Sequence, residues 1–552
     1  MLCDAAMRCV AFSSAVPLFI AAGLAGCAAQ EPEARTVCDD VADLAAECTG
    51  VRPELPAEGC VGAYRDGAEA VLAQGCDALT TVGITTQDAS PWCDPALTWT
   101  GVCAPRPLAD VAALASLGEV CPPDRADELC AALRAADFGK ARAAAAGAVA
   151  AGALTDPAVR YYLRERTMAL VVWNALTDRG RTAPPADYAR AAGAWLDAYF
   201  PAYQGDASQF AMARQPLAPS GAACASPSSG DVIVIFPGVV RLEDRSEFAK
   251  QTEAIRDVLP CVRTIVLDTG NFVDPKANAA LASRTLAAAA PAPAALHFIG
   301  YSQGSTNVLR TLVDYPEIAA RVRTVLTMNS AAHGSEIVDV LLPALDNLDA
   351  DARFCDKLPD YARPTCEWAA EQSPKPARVI MEEIARSMGI PVDSLDGWLD
   401  PNDRTTTLRD FLKEHVPGVR SLTTVAAAEF WATRAHQLPR TALYTSFRSA
   451  ITDPDRNLPA SNALFYGLLN RAGGDAPYND MQVLLTKQSL GGPIADLETI
   501  LPVAEGNHWQ WQYTAGQMDE RLMPADMTAR IPQLAWMVGY AETLHDLGVL
   551  AR

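Results

Sequence analysis

A serine hydroxyl becomes a useful nucleophile only when a base can take its proton and a third group fixes that base. Ser302 stands in Gly300-Tyr301-Ser302-Gln303-Gly304. The apolar run Leu296 to Ile299 leads into it, and Val308, Leu309, Leu312 and Val313 recur on one helical face behind it. Strand, G-x-S-x-G, helix is the context of a nucleophile elbow. The turn is too tight for bulky neighbours, and its strained backbone pushes the hydroxyl out beyond the sheet.

Six histidines are available as the base. His297 falls inside the strand before the elbow and reads as buried. His333, in Asn329-Ser330-Ala331-Ala332-His333-Gly334-Ser335, follows the next strand. His415 and His436 lie in a helical insertion, and His545 near the end of the last helix. His508, in Glu505-Gly506-Asn507-His508-Trp509, follows the last strand, where an open sheet carries its ligating loops. It is the expected base. The acid is expected between serine and histidine in chain order. Asp480, in Pro477-Tyr478-Asn479-Asp480-Met481-Gln482-Val483, is the first choice; Asp453 and Asp455 are alternatives that turn chemistry alone explains. A tetrahedral intermediate needs two backbone donors. The expected ones are the amides of Gln303, after the serine, and Val239, in the turn Phe236-Pro237-Gly238-Val239.

The elements that must hold these residues begin at Asp231. Val232 to Phe236, Val262 to Leu267, Leu296 to Ile299, Arg323 to Met328, Thr441 to Phe447 and Thr499 to Ala504 read as strands. Phe248 to Leu259 and Ala277 to Ala289 read as helices between them. Continuous apolar strands alternating with helices predict a parallel sheet buried on both faces. Residues 336 to about 440 interrupt the rhythm and read as a helical cap. Met527 to Leu550 reads as a final amphipathic helix packed on the sheet.

The chain opens with an address. Arg8 precedes an apolar segment, Val10 to Ala25, too short to span a bilayer, which ends in Leu24-Ala25-Gly26-Cys27. This resembles the bacterial lipobox. The resemblance implies a signal peptide over 1–26, lipidation of Cys27, and an exported chain anchored in the cell envelope, with Ala28 pointing to the outer membrane. An ordinary secretory signal cut near Ala25 or Ala29 is the alternative. Three of the 15 cysteines belong to that segment, and an even set of 12 remains, as disulfides in an exported chain require. Cys355 with Cys366 and Cys224 with Cys261 are the expected pairs. Cys38, Cys48, Cys60, Cys76, Cys93, Cys103, Cys121 and Cys130 cannot be paired from sequence, and none has the CxxC-type spacing of a zinc site.

The organisation read from the sequence is therefore a cysteine-rich helical module over 27–135, a helical region over 136–203, a linker over 204–230, and an α/β domain over 231–552. In the second, Tyr161, Tyr162, Met168, Val171, Val172 and Trp173 mark a core face rather than a cofactor box. A net charge of −21 opposes binding to nucleic acid, since nothing would neutralise phosphates.

Residues 231 to 550 resemble α/β hydrolases, and among them the bacterial secreted lipases and esterases. The matching pieces are Pro237-Gly238, GYSQGS at Ser302, NSAAHGS at 329–335, SLTTVAAAEFW at 421–431, YNDMQV around Asp480 and GNHWQW around His508. The resemblance implies an α/β-hydrolase fold with catalytic Ser302, Asp480 and His508, and an acyl-enzyme route to carboxylic ester hydrolysis. Lipases often carry His-Gly where this chain has Pro237-Gly238. Some members bind calcium through an aspartate shortly after the histidine, where Gln510 and Gln512 stand here. No metal or cofactor is expected. The expected substrate is an ester or lipid, with Phe298, Leu341, Leu342 and Trp509 as candidate lining of an apolar cleft. Acyl transfer or amide hydrolysis by the same residues is the alternative within enzymes. A surface-anchored binding protein on a hydrolase fold is the alternative outside them, with the cysteine-rich module engaging a partner of unknown identity.

Overall fold

The computed structural model describes residues 106–203, 230–239, 248–270, 272–387, 410, 413–459, 462–513, 527 and 531–550. These belong to one compact unit, Arg106–Arg552. The signal segment, Cys27, the cysteines up to Cys103, Cys224 and all but residue 230 of the expected linker lie outside the described residues.

The longer helices before the sheet, among the described residues, are α1 (Glu128–Arg134), α2 (Phe138–Ala150), α3 (Pro157–Leu176) and α4 (Tyr188–Tyr199). Each opens on an aspartate, Asp127, Asp137, Asp156 or Asp187, whose carboxylate accepts a first-turn N–H. That satisfies donors which have no carbonyl one turn back. A disulfide joins Cys121 to Cys130.

The strands are β1 (Val232–Phe236), β2 (Arg263–Val266), β3 (Leu296–Tyr301), β4 (Val322–Met328), β5 (Leu443–Phe447), β6 (Ser449–Ala450), β7 (Glu498–Ile500) and β8 (Ala504–Glu505). Six of them form one parallel sheet in the order β2-β1-β3-β4-β5-β7, and β6 pairs with β8, also parallel. The run expected as a single strand over Thr499 to Ala504 is thus two. Pro502 between them has no N–H to give a ladder. The chain re-enters pairing one step on, with Ala504 N–H donating to Arg448 O at 2.9 Å.

Alternation along each strand divides the core. Val232, Val234, Phe236 and Phe298 pack with Ala282 and Leu286 of α6 (Pro275–Ala289) and with Val308, Leu309 and Leu312 of α7 (Gln303–Asp314). Ile233, Ile235, Ile299 and Tyr301 face the other way, onto Ile255 of α5 (Ala249–Val258) and Trp536, Met537, Tyr540 and Leu544 of the last helix. Both faces are covered, so the strands read as unbroken apolar runs.

Between β4 and β5 run α8 (Glu336–Asp346), α9 (Arg363–Gln372), α10 (Pro376–Ser387) and α11 (Thr424–Thr433). Ile337, Leu341, Phe354, Ile380 and Met381 build a core of their own there, and a disulfide joins Cys355 to Cys366 as expected. Cys261 is also disulfide-bonded. After β5 come α12 (Ala463–Gly473) and, at the end, α13 (Gln533–Asp546).

The last helix differs from expectation in two ways. It begins at Gln533, directly after Pro532, and it is buried on nearly every side rather than amphipathic. The reason is α3, which lies against it. Gly539 makes the close approach possible, since a Cβ there would sit 2.7 Å from Val171 N. Arg166 and Asp546 form an ion pair at 2.6 Å with side chains 2% and 3% exposed. Asn174 donates to Glu542 at 2.7 Å, and Thr167 bonds Thr543 at 3.2 Å. Tyr161, Tyr162, Met168, Val171 and Val172 are core, as the sequence implies. No helix among the described residues is long and apolar enough to cross a membrane.

Candidate active site

β3 ends at Tyr301 and α7 begins at Gln303, leaving only Ser302 to turn the chain. Its φ of 54° and ψ of −124° lie outside the regions open to residues with a side chain. The turn is pinned by its neighbours. Ser302 N–H donates to Met328 O at 2.9 Å, and Ser302 O accepts from Ser305 N–H at 3.0 Å and Ala331 N–H at 3.3 Å. Three glycines make room. A Cβ on Gly300 would lie 2.7 Å from Ser305 Cα, and one on Gly304 only 1.9 Å from Phe236 O. One on Gly238 would lie 2.9 Å from the Tyr301 ring and 3.2 Å from Ser302 Cβ, so the β1 turn rests on the elbow itself. A parallel sheet with a strained serine between its third strand and the following helix decides the architecture. This is the α/β-hydrolase fold.

Within this α/β-hydrolase frame, His508 and Asp480 meet. His508 Nδ1 is 2.7 Å from Asp480 Oδ2, and the side chains are 1% and 0% exposed. Asp480 is held by its own loop: Oδ1 accepts from Gln482 N–H at 3.0 Å and Val483 N–H at 2.8 Å. The main chains also join, His508 N–H donating to Asp480 O at 2.8 Å. Among the described residues Nε2 of His508 has no hydrogen-bond partner, which leaves it available as a base. Ser302 is 5% exposed. Tyr301 spans from the elbow to the expected base, its hydroxyl donating to His508 O at 2.6 Å and its ring 5.1 Å from the imidazole.

The two expected oxyanion donors sit at the same end of the sheet. Gln303 is the first residue of α7, where main-chain N–H groups have no carbonyl one turn back. Val239 follows Gly238 and packs with Ala331, Leu422 and Val483, drawing together the β1, β4 and acid loops.

The other candidates are occupied elsewhere. His297 bonds Thr324 Oγ1 at 3.0 Å inside the sheet. His333 bonds Leu490 O at 2.8 Å, stacks on Trp431 at 4.6 Å and lines a surface cavity of about 600 Å³ with Thr424, Lys487 and Gly491. Burial holds its pKa below the ordinary value, so it is neutral at pH 7. Asp453 and Asp455 are exposed at the start of a short helical turn. Phe298, a candidate cleft residue, is core between β1 and α7; Leu341 belongs to the core of the insertion, and Trp509 is buried against Ile451 and Met481.

Sequence reasoning missed the residues that hold the histidine loop. Glu505 accepts from Thr452 N–H at 3.1 Å, Asp453 N–H at 3.3 Å, Asn457 Nδ2 at 2.8 Å and the Thr452 hydroxyl. Asn457 in turn receives Asn507 Nδ2 at 2.8 Å and Gln510 Nε2 at 2.9 Å. Gln510 also donates to Met527 O at 2.9 Å. Side-chain amides thus close this loop on both sides of His508. A polar residue beside a histidine carries no such information by itself.

No family model matches the chain, and no curated protein matches it. Solved structures do. A metagenomic carboxyl esterase, MGS0156, matches at 18% identity over 58% of this chain and 76% of that one, with a TM-score of 0.37. The mature Bacillus licheniformis lipase BlEst2 matches at 13% identity over 51% of this chain and 86% of that one, with a TM-score of 0.31. The propeptide form of BlEst2 matches at 13% identity over 51% of this chain and 47% of that one, with a TM-score of 0.32. Likeness at this level speaks to no activity in this chain.

Proposed function

We propose that this protein is a serine hydrolase that cleaves carboxylic esters. The observation that carries the reading is a serine in a strained elbow conformation, whose neighbour Tyr301 bonds the main chain of a buried histidine–carboxylate pair, with the Nε2 of that histidine unpartnered among the described residues. Ser302 Oγ attacks the ester carbonyl as His508 Nε2 takes its proton. Asp480 holds the Nδ1–H tautomer and stabilises the imidazolium that forms. The amides of Gln303 and Val239 receive the oxyanion. Collapse expels the alcohol, protonated by His508, and leaves Ser302 acylated; a water activated by the same imidazole then releases the acid. Esters and acylglycerols are the substrate class that the resemblance to secreted lipases favours. We further infer that the mature chain is held at the bacterial envelope through lipid on Cys27.

The test is hydrolysis of p-nitrophenyl esters of increasing acyl length by wild type and Ser302→Ala side by side, with fluorophosphonate labelling of both. Turnover and labelling lost together in Ser302→Ala support the reading. A folded wild type that neither turns over nor labels removes it and moves attention to the cysteine-rich module as a binding element. Ester exchange onto an added alcohol or amine, in preference to water, would place the chain among acyltransferases.

A further inference from the structure

A base works only if it stands at hydrogen-bond distance from the nucleophile in the reacting complex. Asp480 fixes the tautomer and plane of the His508 ring, but it does not fix how far that ring stands from Ser302. Asp480 and His508 are joined twice, ring to carboxylate and main chain to main chain, so the two move as one body. Their distance from the serine depends on what ties that body to the elbow.

Two donors reach it from there. Tyr301, the last residue of β3, gives its hydroxyl to His508 O at 2.6 Å across 207 residues of sequence. Asn329, one residue beyond β4, gives Nδ2 to the same oxygen at 3.3 Å and to Ser449 Oγ at 2.8 Å. The backbone that carries Tyr301 is itself rigid. It pairs with Met328 in the sheet, its ring bears on Gly238, and its neighbour Ser302 donates to Met328 O. Burial pushes the phenol well above its usual pKa, so it stays a donor across the working range of pH.

We propose that Tyr301 is a positioning residue whose hydroxyl, through the main-chain carbonyl of His508, sets the distance between base and nucleophile, with Asn329 as the second anchor. This rests on the reading of Ser302, His508 and Asp480 as the reacting set. The residue that precedes the nucleophile thereby measures the gap that the proton must cross.

The test compares Tyr301→Phe with Tyr444→Phe. Tyr444 is a matched control: a buried tyrosine whose hydroxyl also donates to a main-chain carbonyl, that of Pro439 at 2.9 Å, away from the site. Two readouts are taken: kcat and KM on a p-nitrophenyl ester, and the low-field proton resonance of the His508–Asp480 hydrogen bond. Tyr301→Phe is expected to lower kcat by roughly 10- to 100-fold with KM nearly unchanged, since small misplacements of reacting groups cost that much. It is also expected to shift or broaden the low-field resonance. Tyr444→Phe leaves both as in wild type. If Tyr301→Phe fails to fold, Asn329→Gly replaces it; glycine accepts the φ of 45° found there, so the second anchor is lost together with its bond to Ser449 but without backbone strain, with the same signature expected. Wild-type kcat together with an unmoved resonance in the folded variant overturns the proposal. A wild type that turns over no ester removes the catalytic reading, and the resonance alone then decides whether Tyr301 positions His508.

Discussion

Gly304→Ala isolates the elbow geometry. Alanine favours a helix over glycine, so at the second position of α7 propensity alone would make the change neutral or stabilising. Geometry opposes it. The new Cβ would stand 1.9 Å from Phe236 O and 2.7 Å from Pro237 O, both of them backbone atoms. Reaching an ordinary contact of about 3.5 Å requires the start of α7 and the end of β1 to part by about 1.5 Å. That movement carries Gln303 N–H away from the Val239 side of the proposed oxyanion site. Loss of one oxyanion donor costs on the order of 10²- to 10³-fold, and an ångström of misplacement costs about 10²-fold. The expected fall in kcat/KM is therefore on the order of 10²- to 10³-fold, or about 3–4 kcal/mol of transition-state stabilisation. Gly193→Ala, in α4 with nothing within 4 Å of the added carbon, is the control. The assay is p-nitrophenyl ester turnover and the rate of fluorophosphonate labelling, on samples matched by thermal unfolding and circular dichroism. A folded Gly304→Ala protein with wild-type kcat/KM would refute the reasoning, because the oxyanion site would then not lie between β1 and α7.

Three further outcomes follow from the site and its surroundings. Asp480→Asn keeps the Oδ1 acceptor of the acid loop but favours the wrong tautomer of His508, so kcat should fall on the order of 10³- to 10⁴-fold with KM little changed; retained kcat would point to another acid. Burial raises the Glu542 carboxyl from 4.5 to about 7. A raised folded-state pKa gives stability that is full below the unfolded value and lost as pH rises through the folded one, here about 3 kcal/mol between pH 4 and 8. Glu542→Gln mimics the protonated form, so in urea titrations its advantage over wild type should grow from pH 5 to pH 8 by about 2–3 kcal/mol, and an advantage independent of pH would contradict the assignment. Cys27→Ala should abolish incorporation of labelled palmitate and release the chain from the membrane fraction in an expressing bacterium, whereas unchanged fractionation would remove the lipid anchor.

What could be read from sequence and what could not divides along physical lines. The sheet was legible because both faces of its inner strands β1 and β3 are buried, which produces unmistakable apolar runs. The elbow was legible because its glycines and flanking elements are local. Cys355 and Cys366 are close enough to pair by inspection; Cys121 and Cys130 sat among too many alternatives. The break at Pro502 was readable in principle, since a proline cannot donate, but a short apolar run across it reads as one strand. The burial of α13 was not readable. Its cover, α3, is encoded far upstream, and the polar residues that imply an exposed face, Glu542 and Asp546, find partners only in three dimensions. The same holds for Tyr301 and Asn329, whose bonds to His508 cross long stretches of chain.

The Arg166–Asp546 pair has a consequence for how the molecule is made. A ribosome makes Arg166, in α3, 380 residues before it reaches Asp546. Through that interval Arg166, Asn174 and Thr167 have none of their α13 partners, and the side of α3 that faces α13 stays uncovered. An arginine buried without its carboxylate is costly, so the layer cannot settle early. Closing so long a loop also makes this contact a late one. The sheet and elbow can therefore be assembled in outline while the molecule remains open behind them. Helix α13, made long after α3, acts as the fastener, and a chain interrupted before it should be recognised by proteases as unfinished even though every expected catalytic residue has already been made.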